Sequence, residues 1–64
     1  MYYGKQCDPD GERVYGFAKA GQASIWLRIG GSCREPISEE EAKQHGAYYR
    51  WGKENPIPFT AGGN

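Results

Sequence analysis

Cys33 and His45 are the best nucleophile and base this chain offers, with the backbone amides of Gly30-Gly31-Ser32 as candidate donors to an oxyanion. The supporting inventory is thin. There is one His, the acids are two Asp and six Glu, and a chain of 64 residues has little volume for a sheltered pocket once its own core is filled. No catalytic residue is therefore assigned, and an enzyme is not expected. Cys7, Cys33 and His45 stand at no finger-like spacing and would need a fourth ligand to complete a tetrahedral zinc site, so neither a metal nor a cofactor is expected. Both cysteines are expected as free thiols: in a simple meander the first and third strands lie about 9 to 10 Å apart, too far for a direct bridge. Gly30-Gly31-Ser32 followed by Arg34 has the composition of a phosphate nest, but no Lys-Ser/Thr follows to complete a P-loop. A turn that ends one strand and leads into a helix uses the same residues, and that is the expected reading.

The chemistry of binding is better represented. Tyr48-Tyr49-Arg50-Trp51-Gly52-Lys53 interleaves aromatics with cations, as a surface for a single nucleic-acid strand would. Zero net charge argues against that use, because it removes the long-range attraction such binders have for phosphate. Trp, Tyr and Arg are also the residues that dominate protein interfaces. Alternation along two expected strands would gather Trp26, Arg28, Tyr48 and Arg50 on one sheet face, and these four are the expected partner-binding residues. Glu39, Glu40 and Glu41 form a secondary acidic patch; with Glu35 against Lys43 they leave residues 35–46 at a net charge of −3, while residues 1–34 carry +2.

These residues need a scaffold. Asp8-Pro9-Asp10-Gly11 is the sharpest local signal, since Pro presets φ for the first central position of a turn and Gly supplies a positive φ at its end. It predicts a hairpin with arms Tyr2 to Cys7 and Glu12 to Ala18, with Tyr3, Cys7, Tyr15 and Phe17 facing inward. Ser24 to Ile29 alternates, which predicts a third strand with Ile25, Leu27 and Ile29 in the core and Gly30-Gly31 at its end. Ser38 followed by Glu41 reads as a helix N-cap with its capping box, Ile37 is placed to staple onto Ala42, and Gly46 is the stop. Ala47 to Gly52 reads as a fourth strand with Tyr49 and Trp51 in the core, and Pro56 to Phe59 as an extended segment.

The expected architecture is a small α+β domain over residues 1–59, with a twisted antiparallel sheet of three to four strands and one short helix in the order β-β-β-α-β, and a flexible tail at 60–64. Few large aliphatics are present, so five Tyr and two Trp must supply much of the buried area. No apolar run is long enough to cross a bilayer and no signal segment opens the chain, so a short, complete, cytoplasmic product is expected. Its expected role is that of a non-enzymatic interaction protein that binds and inhibits or modulates a larger protein or complex, in the manner of a phage or mobile-element inhibitor of a host defence machine. The alternative is a single-stranded nucleic-acid or RNA-binding module using residues 48–53.

Overall fold

The computed structural model describes residues 1–59, and the tail expected at 60–64 lies outside them. Two strands, β1 (Tyr2–Asp8) and β2 (Gly11–Phe17), form the expected hairpin around Pro9 and Asp10. Gly11 takes φ 142°, a value open to glycine and rare for other residues. Next come α1 (Ala20–Gly30), a 3-10 turn (Gly31–Cys33) and β3 (Arg34–Ile37). A short helix α2 (Glu39–Gln44) leads into β4 (Ala47–Arg50), and β5 (Pro56–Pro58) closes the order. The result is an α+β fold, but its five-stranded sheet is mixed and it has two helices.

The sheet runs β3-β1-β2-β4-β5, and every neighbouring pair is antiparallel except β2 with β4. Because β1 is antiparallel to both of its neighbours, β2, β3 and β4 all point the same way. The two helices are therefore crossovers between strands of like direction. The first carries the chain from β2 past β1 to β3, and the second carries it back past β1 and β2 to β4. Crossovers of one hand that advance in opposite directions must lie on opposite faces of a sheet, and α1 and α2 do so. Both faces are covered.

The assignment of Ser24 to Ile29 to a strand is overturned. Ala23, Trp26, Leu27 and Gly30, at i, i+3, i+4 and i+7, make the sheet-facing stripe of a helix, and Trp26 is its anchor at 1% exposure. Ile25 and Ile29 lie on the far side at 51% and 65% exposure, so they are not core residues. The start of α1 carries no legible signal: Lys19 occupies the N-cap without a side-chain hydrogen bond, and the first turn holds no acid. Of the inward set expected of the hairpin, Tyr3 and Phe17 are buried and Tyr15 is half-buried, but they do not share one face. Tyr3 pairs with Gly16 while Tyr2 pairs with Phe17 and Gly4 with Tyr15, so Tyr3 lies on the face opposite Tyr15 and Phe17, and Cys7 is exposed.

Each face has its own aromatic packing. Under α1, the Trp26 ring lies 5.1 Å from Tyr15 and 5.2 Å from Phe17, while a Cβ on Gly4 would fall onto Trp26. Gly4 is thus the slot in the sheet that admits the indole. On the α2 face, Ala42 is fully buried against Tyr3 and Val14, flanked by Ile37, Tyr48 and Phe59. Burial, followed by the fields of Glu39 and Tyr48, raises the Tyr3 pKa above its ordinary value.

Ser38 is the N-cap as expected, while the Glu41 carboxylate that was to close the capping box lies 4.0 Å from Lys5. The Ser38 hydroxyl accepts the Glu41 amide at 3.1 Å, and the helix closes before Gly46, at φ 86°, whose amide bonds to the Lys43 carbonyl. Replacing Ser38 with Ala is expected to cost about 1 kcal/mol, read as a lower urea midpoint with an unchanged m-value. The β5 edge is protected too. Phe59 donates to the Gly46 carbonyl, so by alternation the nitrogens of Pro58 and Pro56 face the open side, where no N–H is left to recruit another strand.

Candidate functional site

The four residues expected to bind a partner are not gathered on one surface. Trp26 is core. Arg28 is exposed on the outer side of α1, between Ile25 and Ile29. Tyr48 is half-buried on the opposite face of the sheet, edge-on to Tyr3 at 5.6 Å and 5.0 Å from Phe59, in space that exists because residue 16 has no Cβ. Arg50 is exposed at the end of β4. Trp26 and Arg28 depart from the expected face because the segment bearing them is a helix, to which alternation does not apply, while Tyr48 and Arg50 keep the alternation of β4 but on the side of the sheet away from α1.

The outer side of α1 is the first candidate surface. Ile25, Arg28 and Ile29 stand at i, i+3 and i+4, opposite the stripe that holds the helix down, so they project together. Arg28 is the only charged residue within α1. Along one flank of the helix, Ala23 and Leu27 line an apolar cleft of about 270 Å³ together with Met1, Tyr2, Pro36 and Ile37.

The aromatic and basic segment forms a second candidate. Tyr49 and Trp51 face α1, while Tyr48 and Arg50 face α2, so the motif is divided between the two sides of the sheet. Tyr49 is half-buried 5.7 Å from Tyr15, with the Arg13 guanidinium 5.9 Å above its ring. A hydrogen bond with Tyr15, then the charges of Asp10 and Asp8, raises the Arg13 pKa. Trp51, expected in the core, is 43% exposed and meets Phe17 edge-on at 6.0 Å. A positive φ at Gly52 turns the chain, and an open cleft of about 470 Å³ lies between Arg50, Trp51, Lys53 and Ile57. Neither Arg50 nor Lys53 has a carboxylate within 4 Å among the described residues.

The acidic patch is largely neutralised from within. Lys5 projects from the α2 face of β1 and reaches Glu35 at 3.2 Å, Glu12 at 3.7 Å and Glu41 at 4.0 Å. The hydrogen bond to Glu35 leads the causes that raise its pKa, followed by the charge of Glu12. Glu39 pairs with Lys43 at 3.3 Å one helical turn on, which leaves Glu40 as the member of the trio without a cation within 4 Å among the described residues. Such pairs orient side chains more than they stabilise the fold.

Cys33 and His45 are not brought together. One ends the 3-10 turn beside β3 and the other caps α2 beside β4, with β1 and β2 between, a span of about 14 Å at three strand spacings. Among the described residues, no group of three His, Cys, Asp or Glu side chains is placed to hold a metal ion, and no helix is long and apolar enough to cross a membrane.

Arg34, which the sequence places in a turn or a phosphate nest, locks α1 to the sheet. Its guanidinium lies 4.5 Å over the Trp26 ring, donates to the Trp26 carbonyl at 2.6 Å and donates to Gln6 Oε1 at 2.8 Å. Gly30 leaves room for it, since a Cβ there would fall onto the Arg34 side chain. The surface residues missed by sequence reasoning, Ile25 and Ile29, carried a usable signal in their i, i+4 spacing around a single Trp. Searches against protein-family models, curated proteins and solved structures find no match to this chain.

Proposed function

We propose that this protein is a non-enzymatic interaction module that acts in the cytosol by docking the outer side of α1 onto a larger protein, inhibiting or modulating it. The observation that carries this reading is the exposure of Ile25 and Ile29, one turn apart with Arg28 beside them, on a helix whose opposite side already anchors the fold. Two β-branched residues left largely in water on a domain with so few aliphatics contribute little to its core, whereas at an interface they and Arg28 are suited to anchor contact. The complementary partner surface is an apolar groove with an acidic rim, because Arg28 is the only charge α1 presents. A phage or mobile-element inhibitor of a host defence machine is a setting in which occupying such a groove is the whole task.

The test begins with a partner recovered from the native host and then purified. Ile25→Glu combined with Ile29→Glu is expected to weaken its binding by about 100-fold or more while far-UV circular dichroism stays that of the parent. Full affinity in a folded double variant would remove α1 as the docking surface. A second reading, single-stranded nucleic-acid binding, is favoured by the exposed Trp51 beside Arg50 and Lys53, neither of which has a carboxylate within 4 Å among the described residues. It predicts affinity for an oligothymidylate that falls steeply with salt and is lost in Trp51→Ala, while the α1 variant binds that oligonucleotide normally.

A further inference from the structure

We infer that Cys7 and Cys33 are a dithiol pair that closes into an intramolecular disulfide when the protein meets a low-molecular-weight disulfide. The expectation that these residues are a strand apart rested on a meander. The sheet order instead puts β3 directly beside β1. The antiparallel register matches Tyr3 with Ile37, Gly4 with Pro36, Lys5 with Glu35 and Gln6 with Arg34, so one further step on each side arrives at Cys7 and Cys33. Opposed residues in such a ladder have Cα atoms about 4.5 to 5.5 Å apart, inside the range of about 4.4 to 6.8 Å that a disulfide spans.

Cys33 itself sits in the 3-10 turn that packs against β1, at the point where the ladder begins. The residues next to the two cysteines fix that point: Arg34 is hydrogen-bonded to Gln6 at 2.8 Å, and Gln6 donates to Asp8 at 2.9 Å. Both thiols are free and exposed, so an oxidant reaches either one; the Cys7 thiol has Glu12 at 3.9 Å as its neighbour.

The chemistry is two exchanges. One cysteine thiolate attacks a sulfur of the small disulfide RSSR and expels RS⁻, giving a mixed disulfide. The second cysteine thiolate then attacks the protein sulfur of that bond, forms Cys7–Cys33 and expels the second RS⁻. The two protein thiols have lost two electrons and two protons, and RSSR leaves as two RSH. The bond encloses β2 and α1 in one loop and ties the start of the edge strand β3 to β1. It therefore restrains the helix that carries Ile25 and Ile29, although the pairing itself stands on register and is independent of the function of that helix.

Oxidised glutathione added to the reduced, folded protein tests this, with the reaction stopped by alkylation and read by intact mass. The expected product is a monomer lighter by two hydrogens, about 2 Da, that takes up no alkylating agent and yields a Cys7–Cys33 cross-linked peptide on digestion. Its Tm is expected to lie on the order of 10 °C above that of the reduced form. Cys33→Ser should stop at a stable glutathione adduct on Cys7, and Cys7→Ser at one on Cys33, showing that each thiol is reached. Parent protein that accumulates glutathione on both cysteines, or that cross-links between chains, would overturn the inference.

Discussion

Trp26→Ala is expected to abolish cooperative folding. The indole is the largest fully buried side chain, at 1% exposure, and it joins three elements at once: α1, which bears it, β2 through Tyr15 and Phe17, and β3 through Arg34. Truncating a buried Trp or Phe to Ala costs about 3–5 kcal/mol, while a domain of this length has about 3 to 10 kcal/mol in total. Arg34 would keep its bonds to Gln6 and to the residue 26 carbonyl but lose the ring beneath its guanidinium. Thermal melting followed by circular dichroism should change from a sigmoidal transition to a sloping line. A sharp transition with a midpoint near that of the parent would mean that α1 is not held by this residue.

Gly4→Ala is expected to destabilise the protein by about 1–3 kcal/mol, although alanine is ordinarily the better residue in a strand. The added methyl would occupy space that the Trp26 six-membered ring already fills, and neither the backbone of a central strand nor a fully buried indole has room to retreat. The same substitution in a Trp26→Phe background should cost less, because the smaller ring vacates the contested volume. A denaturant series on the four proteins of this cycle should therefore show a coupling of about 1 kcal/mol or more. Additivity within about 0.5 kcal/mol would show that Gly4 is needed for its backbone and not as a slot for Trp26.

The hairpin and the second helix were legible because their signals are local. Pro9 and Gly11 dictate a turn through the dihedral angles they permit, and Ser38 and Gly46 bracket a helix through hydrogen bonds made within a few residues. No partner elsewhere in the chain is needed to make these choices, so they can be read without knowing the fold. Pro56 to Phe59 was likewise readable as extended, because Pro56 and Pro58 restrict φ wherever the segment lies.

Residues 24–29 show where that logic ends. Ile25, Leu27 and Ile29 satisfy an alternating pattern while Ala23, Trp26, Leu27 and Gly30 satisfy a helical one, and local preference does not separate the two. What decides is the glycine in β1 under Trp26, together with Arg34 arriving from β3 to bond its carbonyl: a strand in this segment would leave that slot empty. The consequence reaches the candidate site, since turning residues 24–29 into a helix buries the Trp expected to bind and exposes the two Ile expected to be buried. Converting that strand to a crossover also carries the chain past β1 to its far edge, where β3 pairs with it and the 3-10 turn bearing Cys33 packs against β1. Strand order is a property of how the faces of the whole sheet are covered, and no short window of sequence contains it.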